Sequence, residues 1–322
     1  LVCVNFAVVG LIRGLGEMLA LIGGVLFMVN IVGLFKQDPS GDAAPLRFAQ
    51  QATVDRIATK FMRLSGTWLV FGLAVGVALV WWRPDRGRWD FVWAHMLLVG
   101  FFLSMASGVC YHVLSRWSQR PWASVAAIRW HYIVVAVGLP FMVVALAMDW
   151  EALFFVAGPI QALALALLLV NAAPHVVHLR GPSRLGIAIA AVFLLIGITL
   201  GAIFAIDPAT GARLRQAHAI SNLFGWAGLL ISGFGYALVP GFAGTRLRWP
   251  RLAAAQVGIV AVGVAAGMVA VAWRMYGDGP DSAMIVAQGV VAAGMVLFAV
   301  QVAAMFASSA KPEGATGLLF PA

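Results

Sequence analysis

The feature that most constrains this chain is a series of apolar runs, each about as long as a lipid bilayer is thick. A helix crosses roughly 30 Å of hydrocarbon with about 20 consecutive apolar residues. Runs of that kind cover 7–35, 64–82, 91–114, 130–148, 152–173, 185–206, 217–240, 252–273 and 282–306. Most of the loops between them are too short to hold a soluble domain. Hydrophobic residues make up 62% of the 322 positions and charged ones 10%, where a soluble domain carries about 25% charged residues. The expected fold is all-α, a polytopic transmembrane helical bundle of about nine spans. Segment 36–63 reads differently. Leu46, Phe48, Val54, Ile57, Phe61 and Met62 alternate there with Asp55, Arg56, Lys60 and Arg63, the pattern of an amphipathic helix lying on the membrane surface.

A formal charge of +9 would suit nucleic acid only if it were gathered on one soluble patch. Instead, Lys36, Arg47, Arg56, Lys60, Arg63, Arg116, Arg120, Arg129, Arg180, Arg184, Arg246, Arg248, Arg251 and Lys311 all fall at one set of span ends. Cytoplasmic loops carry the excess of Lys and Arg, so that side is expected to be cytoplasmic, in a bacterial inner membrane, with no nucleic-acid partner. The opposite ends carry Asp85, Asp90, Asp149, Glu151, Asp207, Asp278 and Asp281. Cys3 and Cys110 fall near opposite faces and form no framework. The first run is too long and continuous for a cleavable signal. Arg13 and Glu17, four residues apart near the outer end of that run, are spaced to pair on one helical face.

The chain repeats itself. "AHMLLVGFFLSMASGVCYHVL" (94–114) aligns with "AISNLFGWAGLLISGFGYAL" (219–238), matching Gly100 with Gly225, Gly108 with Gly233 and Tyr111 with Tyr236. A second motif ends at Asn30, Asn171 and Gln301. Spans two to five and six to nine therefore read as two copies of a four-helix unit, and the first span as the last helix of a third. Small residues also recur in membrane helices simply because they permit close packing, but here they recur at fixed register. The expected divisions are 1–35, an interfacial segment 36–63, units at 64–178 and 179–308, and a tail at 309–322.

Ionisable groups within spans are costly and are functional candidates by default. His95 and His218 stand near the outer ends of equivalent helices, where two imidazoles suit the axial positions of one haem iron. The plainer reading of His218, beside Arg215 and Gln216, is an interfacial residue bonded to headgroups. His112, His131, His175 and His178 cluster near the cytoplasmic side as candidate ligands of copper or another divalent ion. His175 and His178 share one helix face at i, i+3, although Pro174 and Arg180 around them also suit a helix end at the water boundary. His112 follows Tyr111, and a Tyr–His pair suits redox or proton chemistry. No Walker loop, dinucleotide fingerprint, Ser–His–Asp order, CxxC or CxxCH occurs, which removes support for nucleotide hydrolysis, thiol redox chemistry and covalent haem.

Residues 94–132, "AHMLLVGFFLSMASGVCYHVLSRWSQRPWASVAAIRWHY", resemble catalytic subunit I of the haem–copper oxidase superfamily and its shorter relatives. There a span opens with a His-x-His-Leu pattern and closes with Gly-Val-x-Tyr-His-x-Leu-Pro-Arg. "SRWSQRPW" is similar to a stretch of the NnrS family, haem- and copper-containing membrane proteins associated with nitric oxide tolerance. The resemblance covers about residues 10–35 and 90–240. It implies a haem b, with copper as a further cofactor, a role in electron transfer or nitric oxide response, and an electron donor or other respiratory-chain subunits as partners. It also implies about three helices before Leu1. Of the His-x-His pattern the first copy keeps His95 and has Trp93 at the other position, while the second keeps His218 and has Ile220. The adjacent His–His pair of an oxidase copper site is absent, so oxygen reduction lacks its ligands. The alternatives are a metal-free small-molecule transporter or channel, to which Pro140 and Pro159 point as sites of broken helices, and a structural subunit of a respiratory complex.

Overall fold

The computed structural model describes residues 48–82, 86–277 and 279–308, together with Met18, Ile22, Gly23, Val25, Leu26 and Val29. The expected first span with its Arg13–Glu17 pair, Cys3, and the tail at 309–322 lie outside the described residues, apart from those six positions. Helices account for nearly all of what is described. In chain order they are α1 (Gln51–Trp81), α2 (Arg86–His95), a π-helical stretch (Met96–Leu103), α3 (Ser104–Ser118), α4 (Val125–Met148) and α5 (Glu151–Val176). Then follow α6 (Gly181–Ile206), α7 (Pro208–Ile220), a second π-helical stretch (Ser221–Gly228), α8 (Leu229–Phe242), α9 (Pro250–Tyr276) and α10 (Asp281–Ala307). α2 runs through its π-helical stretch into α3 without a break, and α7 likewise into α8. Among the described residues this makes 8 helical runs long and apolar enough to cross a membrane. No strand occurs among them.

Local sequence accounts for the helix ends. The Ser124 side chain accepts a hydrogen bond from the Ala127 amide at 3.1 Å and caps α4. Asp207 does the same for α7 through the Thr210 amide at 3.2 Å. Each satisfies one of the amides that a helix start leaves without an internal partner. Pro182 and Pro250 occupy first-turn positions of α6 and α9, where a missing N–H costs nothing. Gln119 and Asp149 close α3 and α4 in the left-handed conformation, at φ 55° and 52°.

α1 has 31 residues, about 46 Å at 1.5 Å per residue, and so outruns the hydrocarbon. Its opening turns contain residues 51–63 of the segment expected to lie on the membrane surface. Val54, Ile57, Ala58 and Phe61 are buried in the protein there, so this apolar stripe packs against neighbouring helices and not against lipid.

The described residues form two compact units, those within 1–115 and 119–172 making one and those within 116–118 and 173–322 the other. Inside each, the same contacts recur at a spacing of 125 residues. In the first unit a Cβ on Gly100 would meet the Trp68 ring at 2.7 Å, and in the second a Cβ on Gly225 would meet the Phe193 ring at 2.5 Å. Gly108 lies against the Ala58 carbonyl and Met62, and Gly233 against the Ser183 carbonyl and Ile187. Gly72 makes room for Leu97 as Gly197 does for Asn222. Ser107 donates to the Leu103 carbonyl at 2.8 Å and Ser232 to that of Gly228 at 2.9 Å. The two π-helical stretches keep the same register. On the last helix of each unit the offset becomes 130, because α9 is three residues longer than α4 and the turn after it two residues longer. Gly138 thus lies against Ile160 and Gln161, and Gly263 against Val290 and Val291.

Candidate functional site

A π-helical turn costs hydrogen-bond geometry, and such turns gather at functional positions. Both of those found here open beside a histidine. His95 immediately precedes the first, and its Nδ1 lies 2.8 Å from the Phe91 carbonyl oxygen one turn back. His218 stands three residues before the second, with Nδ1 2.8 Å from the Gly197 carbonyl oxygen of α6. A carbonyl only accepts, so in both rings Nδ1 donates its proton. Gly201 makes room for the His218 ring, since a Cβ there would come within 3.1 Å of Cε1. Asn222 Nδ2 lies 3.5 Å from each ring nitrogen of His218 and donates to the His218 carbonyl at 2.9 Å.

The two histidines occupy equivalent helices but not equivalent positions. With the offset of 125 that the packing follows, His95 corresponds to Ile220 and His218 to Trp93. Two residues turn a helix by about 200°, so each ring addresses a different neighbour within its own unit. His218 is turned toward α6, and Ile220 toward Gly267 of α9 at 3.6 Å.

The four remaining histidines each have a separate oxygen partner. In the first unit His112 Nδ1 pairs with Asp55 Oδ1 at 3.0 Å. The same carboxylate oxygen accepts from Gln51 Nε2 at 2.8 Å, and Gln51 Oε1 accepts from Ser115 at 2.5 Å. His131, fully buried on α4, has Nδ1 at 2.8 Å from the Tyr111 hydroxyl. In the second unit His175 Nδ1 lies 2.7 Å from Ser118 Oγ, and His178 Nδ1 donates to the Pro174 carbonyl at 2.7 Å. Among the described residues no three His, Cys, Asp or Glu side chains converge as a metal-binding group would require.

The Tyr–His pair exists, but with a different histidine from the one adjacent in sequence. Neighbouring helix positions diverge by about 100°, so Tyr111 and His112 point apart and Tyr111 meets His131 from the next helix. Phe61 and Trp122 close around this pair, with ring centroids 4.8 Å from His131 and 5.1 Å from Tyr111 respectively. His131 Nε2 is buried with no hydrogen-bond partner among the described residues. The second unit keeps the tyrosine and replaces the histidine by an amide. Tyr236 donates to Gln256 Oε1 at 3.0 Å and accepts from Gln301 Nε2 at 3.0 Å. The repeated tyrosine, His131 and the motif ending at Gln301 were the signals in the sequence that fell at these positions, and none of them told which residues pair.

A further polar group in the first unit was not singled out in the sequence. Gln161 on α5 is buried against Gly138, and neither atom of its amide group has a hydrogen-bond partner among the described residues. α4 passes this contact with Pro140 inside it, and Pro140 has no N–H to give the Ala136 carbonyl. The second unit has Ala265 and Val291 at the corresponding places.

Comparison with known protein families and with curated proteins returns no match.

Proposed function

We propose that this chain is a membrane haem protein, acting in electron transfer or in the handling of nitric oxide, with His95 and His218 as its axial-ligand candidates. The observation that carries the reading is the way the two rings are held, each by an Nδ1 bond to a backbone carbonyl. An axial ligand must be a neutral imidazole whose metal-facing nitrogen bears the lone pair, and metal-bound histidines commonly hold that state by donating the other N–H to a carbonyl. His95 and His218 both do so at 2.8 Å, and both adjoin a π-helical turn. The donor chemistry therefore fits a haem iron, and the resemblance of residues 94–132 to haem–copper oxidase and NnrS sequences supports the same group. Bound haem would supply a redox-active iron. The part of the chain is to hold each ring by its Nδ1 proton. His112, His131, His175 and His178 are not required for this reading.

A reduced-minus-oxidised absorption spectrum of the purified chain, expressed with ample haem, is the direct test. A Soret band that His95→Ala largely removes supports the reading. His218→Ala should likewise diminish the band or alter its position. A wild type without the band, or one whose band survives both substitutions, sinks the haem reading.

The metal-free transporter then moves ahead. It draws on a different observation, the Gln161 amide lying against a proline-containing helix near the middle of two spans, as substrate sites of transporters do.

A further inference from the structure

The turn between α8 and α9 differs between the two units in a way that their common packing does not require. In the first unit the corresponding turn closes on itself, with Ser124 capping α4 and Ala123 and Ala126 on either side. In the second unit those three positions are Trp249, Arg248 and Arg251, and Trp249 makes no side-chain cap. Arg248 and Arg251 line a cavity of about 700 Å³ with Trp249, Pro250, Leu252 and Val300. Arg246 is exposed close by. Residues 241–256 contain no Asp or Glu, and no ion pair to these three arginines occurs among the described residues.

The surface of this open cavity is apolar, and two exposed arginines stand among the residues that line it. The Arg248 guanidinium lies 5.0 Å from the centre of the Trp249 ring, a stacking that holds its planar donor face in place. Leu252 and Val300 are apolar and exposed on the bilayer-crossing helices α9 and α10. Trp beside Arg at the end of a span is the pattern of the headgroup level of a membrane. Basic pockets between spanning helices at that level take lipid phosphates. A free anion would have no use for the apolar floor, and an acyl chain alone would have none for the arginines.

We propose that this cavity binds one anionic phospholipid, with its phosphate on Arg248 and Arg251 and its acyl chains over Leu252 and Val300. The site belongs to the second unit alone, because Ala123 and Ala126 cannot form it in the first. It is independent of whether the chain carries haem.

Native mass spectrometry of the delipidated full chain, titrated with phosphatidylglycerol or phosphatidylcholine, tests the proposal. The wild type should take up one phosphatidylglycerol with about thirtyfold preference over phosphatidylcholine, the order expected of two arginines at a lipid surface. The double variant Arg248→Gln/Arg251→Gln should lose that preference, and Arg213→Gln at the other end of the unit should keep it. Arg248→Lys/Arg251→Lys preserves the charge and guards against a folding failure of the glutamine pair. It should favour phosphatidylglycerol less strongly than the wild type but still measurably. Equal binding of the two lipids by the wild type, an undiminished preference in the glutamine pair, or none in the lysine pair overturns the proposal. Displacement by millimolar inorganic phosphate would reassign the site to a free anion and overturn it as well.

Discussion

The Tyr111 hydroxyl lies 2.8 Å from Nδ1 of His131, and in the second unit the same two positions hold Tyr236 and Gln256, 3.0 Å apart. The chain has kept a buried phenol and its hydrogen bond in both units while changing the partner from an imidazole to an amide. A hydroxyl buried without a partner costs about 1–3 kcal/mol, which is reason enough to retain some partner. His131→Gln should therefore be tolerated, reproducing the second unit's pair. His131→Leu should lower stability by about 1–3 kcal/mol, since it leaves the phenol stranded. Thermal unfolding in detergent compares the two. Equal losses would show that the hydrogen bond contributes nothing.

The close approaches at Gly100 and Gly225 test the repeat itself. A Cβ at either would overlap an aromatic ring, that of Trp68 or Phe193, and overpacking of this kind costs about 1–3 kcal/mol. Gly100→Ala and Gly225→Ala should each destabilise the protein. Gly289→Ala, with nothing within 4 Å, should be neutral or gain up to about 1 kcal/mol of helix propensity. Comparing the three midpoints of unfolding checks whether helix packing or propensity dominates.

Gln161 offers the opposite expectation. Both of its amide atoms are buried without partners among the described residues, and Val291 fills the corresponding place in the second unit. Replacing a stranded polar group by an apolar one of fitting shape is neutral or stabilising. Gln161→Val should accordingly raise the unfolding midpoint or leave it unchanged. A fall would mean that the amide is engaged by something bound, which favours the transporter reading.

Asp207 gives a pH dependence. Hydrogen bonds from the Thr210 side chain, and then from the Thr210 amide, hold its carboxyl below the usual carboxylate range. A lowered folded pKa contributes stability that is fully present above the unfolded value of about 3.9 and is lost as pH falls through the folded value. The start of α7 should fray only under acid. Amide exchange at Thr210 and Gly211 should quicken below about pH 4 in the wild type. In Asp207→Ala it should be fast at neutral pH as well.

Sidedness follows from charge. Thr245 lies in the turn before α9 beside Arg246 and Arg248, and Gly277 lies just beyond the other end of that helix. The positive-inside rule predicts that the Thr245 turn faces the cytoplasm. A membrane-impermeant maleimide added to intact cells should label Gly277→Cys and spare Thr245→Cys. The reverse pattern would invert every inner and outer assignment.

Hydropathy along the chain was enough to place the spans, because each must satisfy its backbone within itself and bury its side chains in lipid wherever its neighbours lie. The repeat was legible for a related reason. Gly100, Gly108 and Tyr111 recur as Gly225, Gly233 and Tyr236 because close packing admits few substitutes at such positions. The opening turns of α1 were harder to read, since an apolar stripe such as Val54, Ile57 and Phe61 looks the same whether lipid or protein covers it. The histidines lay further still from what spacing can tell. Residues adjacent on a helix point about 100° apart, so only the packing of α3 against α4 decides that Tyr111 meets His131 and not His112. Only the approach of α6 decides that the His218 proton goes to Gly197. Period and polarity are properties of one helix and can be read from its sequence, whereas the partner of a buried polar group is a property of two helices and is decided where they meet.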